Sequence, residues 1–177
     1  MQIRKATSDD IPKLATVIRE SVRGLARGSY DDRQIELSIT SVFGVDTDLI
    51  EDGTYFVAEI DGEIVGCGGW SKRKTLYGAS VYSASREPEF LDPAADAAKI
   101  RAFFVHPRAA RKGLGAAILE RCEDEAMKCG FSTAEMMSTL PGVPLYSAKG
   151  YSGDEEVEIA VGEGVSIICI RMAKSLV

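Results

Sequence analysis

The stretch Ile100-Arg101-Ala102-Phe103-Phe104-Val105-His106-Pro107, continuing as Arg108-Ala109-Ala110-Arg111-Lys112-Gly113-Leu114-Gly115-Ala116, decides how this chain is read. Ala98 to Val105 reads as a strand, and His106-Pro107 ends it. Past the loop, Leu114, Ile118, Cys122, Ala126 and Cys129 recur at helical spacing and mark the buried face of a helix that stops at Gly130. A strand therefore runs through a basic, glycine-bearing loop directly into a helix. The first turn of a helix presents amides without intrahelical partners and a partial positive charge, which suits a pyrophosphate. Gly113 and Gly115 let an anion approach the backbone, and Arg111 and Lys112 add charge. A P-loop is absent, because no Gly-x-x-x-x-Gly-Lys-Ser/Thr occurs. A dinucleotide fingerprint is absent too, because Ile118 stands where the third glycine belongs. The alternative is that the two glycines only allow a tight strand-to-helix connection.

Working outward, Ile3 to Ala6 reads as a strand. Thr7-Ser8-Asp9-Asp10 with Pro12 reads as a helix start, followed by Ile11, Leu14, Ile18 and Val22 at helical spacing. Gly24 and Gly28 break that pattern, and a second helix is expected over Asp32 to Val42. Thr54 to Ile60 and Glu63 to Trp70 are β-runs joined by Asp61-Gly62, a strong hairpin signal. Residues 72–97 are polar, with Pro88 and Pro93, and read as a long loop of the kind that often carries function. Ser132 to Met137 is a short strand, and a short helix holds Leu145, Tyr146 and Ala148 before Gly150. Val157 to Val161 and Val165 to Met172 flank Gly162-Glu163-Gly164 as a second hairpin. The run Val165 to Ile170 is apolar on both faces, so it belongs inside a sheet or under cover. The order β α α β β, loop, β α β α β β predicts a single α/β (α+β) domain over residues 1–177. Its sheet is mixed and mostly antiparallel, of about seven strands, with helices on both faces.

The chain has 177 residues, enough to bury a core without staples. Its net charge of −6 argues against general nucleic-acid binding, though not against a local cationic pocket. No stretch approaches the roughly 20 apolar residues of a membrane span, and the N-terminus lacks a signal-peptide run. Four cysteines without a CxxC pair and one histidine make a structural metal site improbable, so none is expected. Cysteines read as small buried apolar residues fit a reducing, cytoplasmic setting.

Val105-His106-Pro107 followed by Gly113-Leu114-Gly115 resembles the GNAT superfamily, the acyl-CoA-dependent N-acetyltransferases. Their signature is a strand ending in Val-x-Pro, then Arg/Gln-x-x-Gly-x-Gly/Ala at the next helix. The departure is Ala110, which stands in the Arg/Gln place. Leu145-Tyr146-Ser147-Ala148-Lys149-Gly150-Tyr151 is similar to the family's second motif, and Ile3-Arg4-x-Ala6-x-x-x-Asp10 to its opening. The hairpin at Asp61-Gly62 with Val65-Gly66 matches as well. The resemblance covers nearly the whole chain in order, except residues 72–97.

That resemblance implies an acetyltransferase moving an acetyl group from acetyl-CoA directly to a primary amine of a small molecule, peptide or protein. It assigns Tyr146 as the general acid near the CoA sulfur. It places the cofactor's phosphates on Arg111, Lys112, Gly113, Leu114, Gly115 and Ala116, and its pantetheine arm along the backbone of Phe103, Phe104 and Val105. His106 is read as structural, and Glu59 and Glu135 remain open as bases. Tyr30 and Asp31 either hold a cationic amine or form an ordinary turn and helix cap. Overall charge mildly favours a cationic acceptor such as a polyamine, aminoglycoside or lysine. Neither a nucleic acid nor a membrane is an expected partner. A homodimer fits the family, with Val165–Ile170 either central in a monomer or near a dimer seam. The competing readings are a non-catalytic acyl-CoA-binding sensor of the same fold and a phosphate-binding protein for another nucleotide.

Overall fold

Strands whose side chains feed two opposite cores build the sheet, and the computed structural model describes residues 1–80 and 89–177. The strands are β1 (Gln2–Lys5), β2 (Tyr55–Ile60), β3 (Glu63–Ser71), β4 (Ala98–Val105), β5 (Thr133–Thr139), β6 (Ser152–Gly162) and β7 (Val165–Ser175). They pair in the order β1-β2-β3-β4-β5-β7-β6. Every pair is antiparallel except β4 with β5. Helices α1 (Ile11–Leu25), α2 (Asp32–Ser41) and α3 (Thr47–Glu51) pack on one face, with Leu14, Ile18, Ile35 and Leu49 in that core. Helices α4 (Leu114–Lys128) and α5 (Val143–Ala148) pack on the other, with Ile118, Leu119, Cys122 and Tyr146. In β2, Tyr55 and Val57 enter the first core, while Phe56 and Ala58 enter the second. The expected mixed sheet with helices on both faces is what the chain forms. Among the described residues, no helix is long and apolar enough to cross a membrane.

Both expected hairpins form. Asp61 (φ 53°) and Gly62 (φ 78°) link β2 to β3, and Glu163 (φ 52°) and Gly164 (φ 72°) link β6 to β7. Two positive φ angles in succession are what a tight hairpin of right-twisted strands needs. The two-sided apolar strand lies inside the sheet, between β5 and β6. Ile167 and Cys169 enter one core, Met172 the other, and Ile170 packs against that second core.

Three local expectations change. Gly24 does not break α1, which runs to Leu25. A Cβ at Gly24 would stand 2.3 Å from Pro107 Cγ, so the glycine serves close packing against the turn after β4. Cys129 is exposed at the end of α4 rather than on its buried face. The five-residue helix α3 carries too short a periodicity to be seen in advance. Of the loop expected over 72–97, positions 81–88 lie outside the described residues. The flanks are tied down: Leu91 N–H donates to Lys72 carbonyl (2.7 Å), and Ala79 N–H donates to Val42 carbonyl (3.0 Å).

Candidate active site

The site begins where two strands part. β4 and β5 pair only at Ala98–Ala134 and Lys99–Glu135. That last rung is clamped by charge: Lys99 bonds Glu135, and Arg171 from β7 reaches the other carboxylate oxygen at 2.8 Å. Burial pushes the Glu135 carboxyl up, but the hydrogen bonds from Lys99 and Arg171 outweigh it and hold the group below the usual range. Next, β4 bulges. Ala102 and Phe103 together oppose Gly68, and Ala102 adopts φ 54°. An alanine in that region is strained, and its carbonyl is held by the Tyr55 hydroxyl at 3.3 Å. A Cβ at Gly68 would lie 2.8 Å from the Phe103 ring, so glycine lets the ring sit over β3. A bulge bends its strand, and here β4 leaves β5 just beyond the clamped rung.

The gap opens into a cavity of about 240 Å³. Its walls include Tyr146 and Met136 from one core and Val22, Tyr30, Val42 and Ile159 from the other. The cavity therefore passes through the sheet. The two phenylalanines of β4 mark its two sides. Phe103 meets Tyr146 edge-on (ring centroids 6.1 Å apart), and Phe104 meets Phe43 the same way (5.8 Å).

At one end, the cavity reaches Gly115 in the first turn of α4. Gly113 precedes that helix at φ 80°, and a Cβ there would meet nothing within 4 Å. Among the described residues, no side chain caps the helix. The amides of Leu114, Gly115 and Ala116 thus lack intrahelical partners and face an open cradle. Burial of Ile118 and Leu119, each contributing about 2 kcal/mol, anchors the helix despite the uncapped start. Arg111 (φ 59°) and Lys112 are exposed beside the cradle. Arg108 is engaged with Glu63. Gly115 allows α5 close: its Cβ would lie 3.0 Å from Leu145. An uncapped helix start, a side-chain-free cradle and flanking cations fit a diphosphate.

Tyr146 is set by the Pro141-Gly142 and Pro144 turn that starts α5. A Cβ at Gly142 would lie 3.0 Å from its ring. The residue is buried and lines the cavity. Burial pushes its phenol well above the ordinary tyrosine value, so it stays protonated throughout the neutral range. No hydrogen bond holds its hydroxyl among the described residues.

The other candidates fall out as follows. Phe103, Phe104 and Val105 all line the cavity. The Val105 amide already donates to Ser21 Oγ (3.1 Å), a cavity residue that sequence reasoning missed. Tyr30 lines the cavity, but its hydroxyl is occupied: it donates to Ile168 carbonyl (2.6 Å) and accepts from Leu140 N–H (3.0 Å). Asp31 caps α2, accepting from Gln34 N–H at 2.8 Å, and does not line the cavity. Of the two readings open for this pair, turn and cap is the one these contacts describe. His106 is likewise engaged, with Glu20 2.8 Å from Nε2 and Arg108 N–H on Nδ1. Glu59 pairs with Arg4 (2.7 Å), and neither it nor Glu135 lines the cavity. Leu76 to Ala79, at the edge of the long loop, do line it. A buried ion pair, Arg101–Asp46 (2.5 Å), joins them, and no local pattern announces a contact across 55 residues.

A parted strand pair, an open helix start at one end and a protonated phenol in the wall together form one cleft. The chain belongs to the acetyltransferase (GNAT) family, whose model matches residues 19–151. Among solved structures, it is similar to a GCN5-related N-acetyltransferase from Rhodopseudomonas palustris (16% identity, TM-score 0.73, 98% of this chain and 94% of that one). It is also similar to an N-acetyltransferase from Thermoplasma acidophilum in complex with coenzyme A (17%, 0.66, 98% of both chains). A third is an acetyltransferase from Salmonella typhimurium with its cofactor acetyl-CoA (19%, 0.64, 100% and 94%). At these identities the likeness speaks for the fold. No curated protein matches the chain at a significant level.

Proposed function

We propose that the protein transfers an acetyl group from acetyl-CoA directly to a primary amine of a small molecule or peptide within this cleft. The observation that carries the reading is Tyr146: a protonated phenol in the cavity wall, with no partner for its hydroxyl among the described residues, on the side where the cavity reaches the start of α4. A pure binding protein has no use for a buried, unengaged acid there.

On this reading the α4 amides and Gly113 hold the diphosphate, with Arg111 and Lys112 adding charge. The edge of β4 from Phe103 to Val105 aligns the arm and turns an amide toward the thioester carbonyl. For the Val105 amide, this requires the Ser21 hydroxyl to move aside. The amine nitrogen bonds to the carbonyl carbon as the C–S bond breaks, and the electron pair leaves with sulfur. Tyr146 gives the sulfur its proton. The new ammonium loses a proton to solvent, and solvent restores the phenol.

The test combines calorimetric titration with acetyl-CoA and free-thiol release across an amine panel. Acetyl-CoA binding with amine-dependent thiol release is expected. Tight binding without turnover on any amine would establish a sensor instead. Binding of ATP or NAD but not CoA would remove both readings.

A further inference from the structure

The cavity wall also bears on the acceptor. On the α1/α2 side of the sheet it is built from Val42, Phe43, Met137 and Ile159, with Ala79 held to Val42 through its amide. Among the described lining residues, the charged side chains are Asp46 and Arg101, and these face each other at 2.5 Å with 1% and 2% of their side chains exposed. Arg101 also donates to Gly78 carbonyl (2.7 Å). The pair ties β4 to the segments before α3 and after Leu76. It closes a wall and presents neither charge as a counter-ion for a guest.

Two hydroxyls of this wall are engaged in the same way. Tyr30 serves Ile168 and Leu140, and Ser138 donates to Thr139 carbonyl at 2.9 Å.

We infer that the acceptor is a monoamine with an apolar body, taken up as the free base. This rests on the acetyl-transfer reading above and names the substrate class of that site. A second ammonium would meet no unpaired carboxylate among the described lining residues. A polyhydroxylated aminoglycoside would leave hydroxyls unpaired against this apolar wall. The net charge of −6 favours cationic acceptors only at the surface and does not extend into this wall.

The test compares hexylamine with hexamethylenediamine, which replaces the terminal methyl with an ammonium-bearing carbon and is otherwise similar in reach. Spermidine and a lysine-bearing peptide complete the set. Thiol release is measured on the full chain with saturating acetyl-CoA, and rates are corrected for free-base fraction and number of amines. The expected result is a kcat/KM for hexylamine at least tenfold above that for the diamine, with spermidine and the peptide lower still. A ratio under tenfold, or a preference for spermidine or the peptide, overturns the inference while leaving acetyl transfer intact. If no amine is turned over, the acetyl-transfer reading fails, and calorimetry on the CoA-loaded protein decides the pocket's preference separately. Hexylamine binding at least tenfold tighter than the diamine then upholds the apolar-amine site, and any other ranking overturns it.

Discussion

Replacing Gly24 with alanine sets two measurable effects against each other. Alanine is the better helix former by about 1 kcal/mol, and Gly24 lies inside α1. Helix propensity alone would therefore stabilise the protein. The opposing term is steric. The new Cβ would stand 2.3 Å from Pro107 Cγ and 3.1 Å from Pro107 Cβ. The first distance is more than an ångström short of ordinary contact. A proline ring cannot swing aside as a long side chain can. Pro107 is also held from both sides, because His106 N–H donates to Val65 carbonyl (2.8 Å) and Ala109 is buried. So α1 or the turn after β4 must shift. Overpacking of this kind costs about 1–3 kcal/mol, and the net expectation is a loss of about 1 kcal/mol. The same turn leads into the Gly113 cradle, so the acetyl-CoA Kd should rise severalfold. Denaturant unfolding and calorimetric titration of both proteins measure the two effects. Adding Pro107→Ala should recover part of the loss, a coupling that a double-mutant cycle detects. A Gly24→Ala protein about 1 kcal/mol more stable than the parent, with unchanged acetyl-CoA affinity, would refute the reasoning.

Further outcomes follow from the same geometry. Ser21→Ala releases the Val105 amide, at the loss of one hydrogen bond of about 1 kcal/mol. The KM for acetyl-CoA should fall severalfold in steady-state thiol release, and a raised KM would speak against that amide taking the thioester carbonyl. Gly113→Trp puts a side chain into open space at φ 80°. It should cost about 1–2 kcal/mol in backbone strain, preserve the fold by circular dichroism and abolish CoA binding by calorimetry. Acid stability should report Asp10, whose carboxyl the Arg4 hydrogen bonds hold at about 2, against an ordinary 3.8. A lowered folded value means the contribution is present above pH 3.8 and is lost as pH falls through 2. Unfolding followed between pH 5 and 2 should show about 2 kcal/mol from this group, and Asp10→Asn should flatten that part of the curve.

The strand–loop–helix connection into α4 was legible because its signals are local. Two glycines, two cations and the start of a helical repeat lie within a few residues of one another, and each acts on the backbone beside it. The hairpins at Asp61-Gly62 and Glu163-Gly164 were readable for the same reason, as was the two-sided apolar strand β7. Tertiary packing decided the rest. Gly24 read as a helix breaker because its partner, Pro107, is distant in sequence. The parting of β4 from β5 depends on the Ala102 bulge, the Tyr55 hydroxyl and the Lys99–Glu135–Arg171 clamp, which draw on four strands. Ser21 met its amide across 84 residues. Tyr30 and Asp31 were correctly placed near a turn, but only the distant carbonyl of Ile168 and amide of Leu140 reveal what the Tyr30 hydroxyl does. Net charge suggested a cationic acceptor, while the wall built by Val42, Phe43, Met137 and Ile159 argues for an apolar one. Surface composition and pocket composition are separate quantities.

The central claim is that Tyr146 protonates the departing sulfur, and the most direct measurement is thiol release by Tyr146→Phe. The phenol makes no internal hydrogen bond among the described residues, so its removal should leave both the fold and acetyl-CoA affinity within twofold of the parent. Turnover should fall by about 100-fold, the lower end for loss of a positioned acid. Unchanged turnover in a folded variant that binds acetyl-CoA normally would contradict the account.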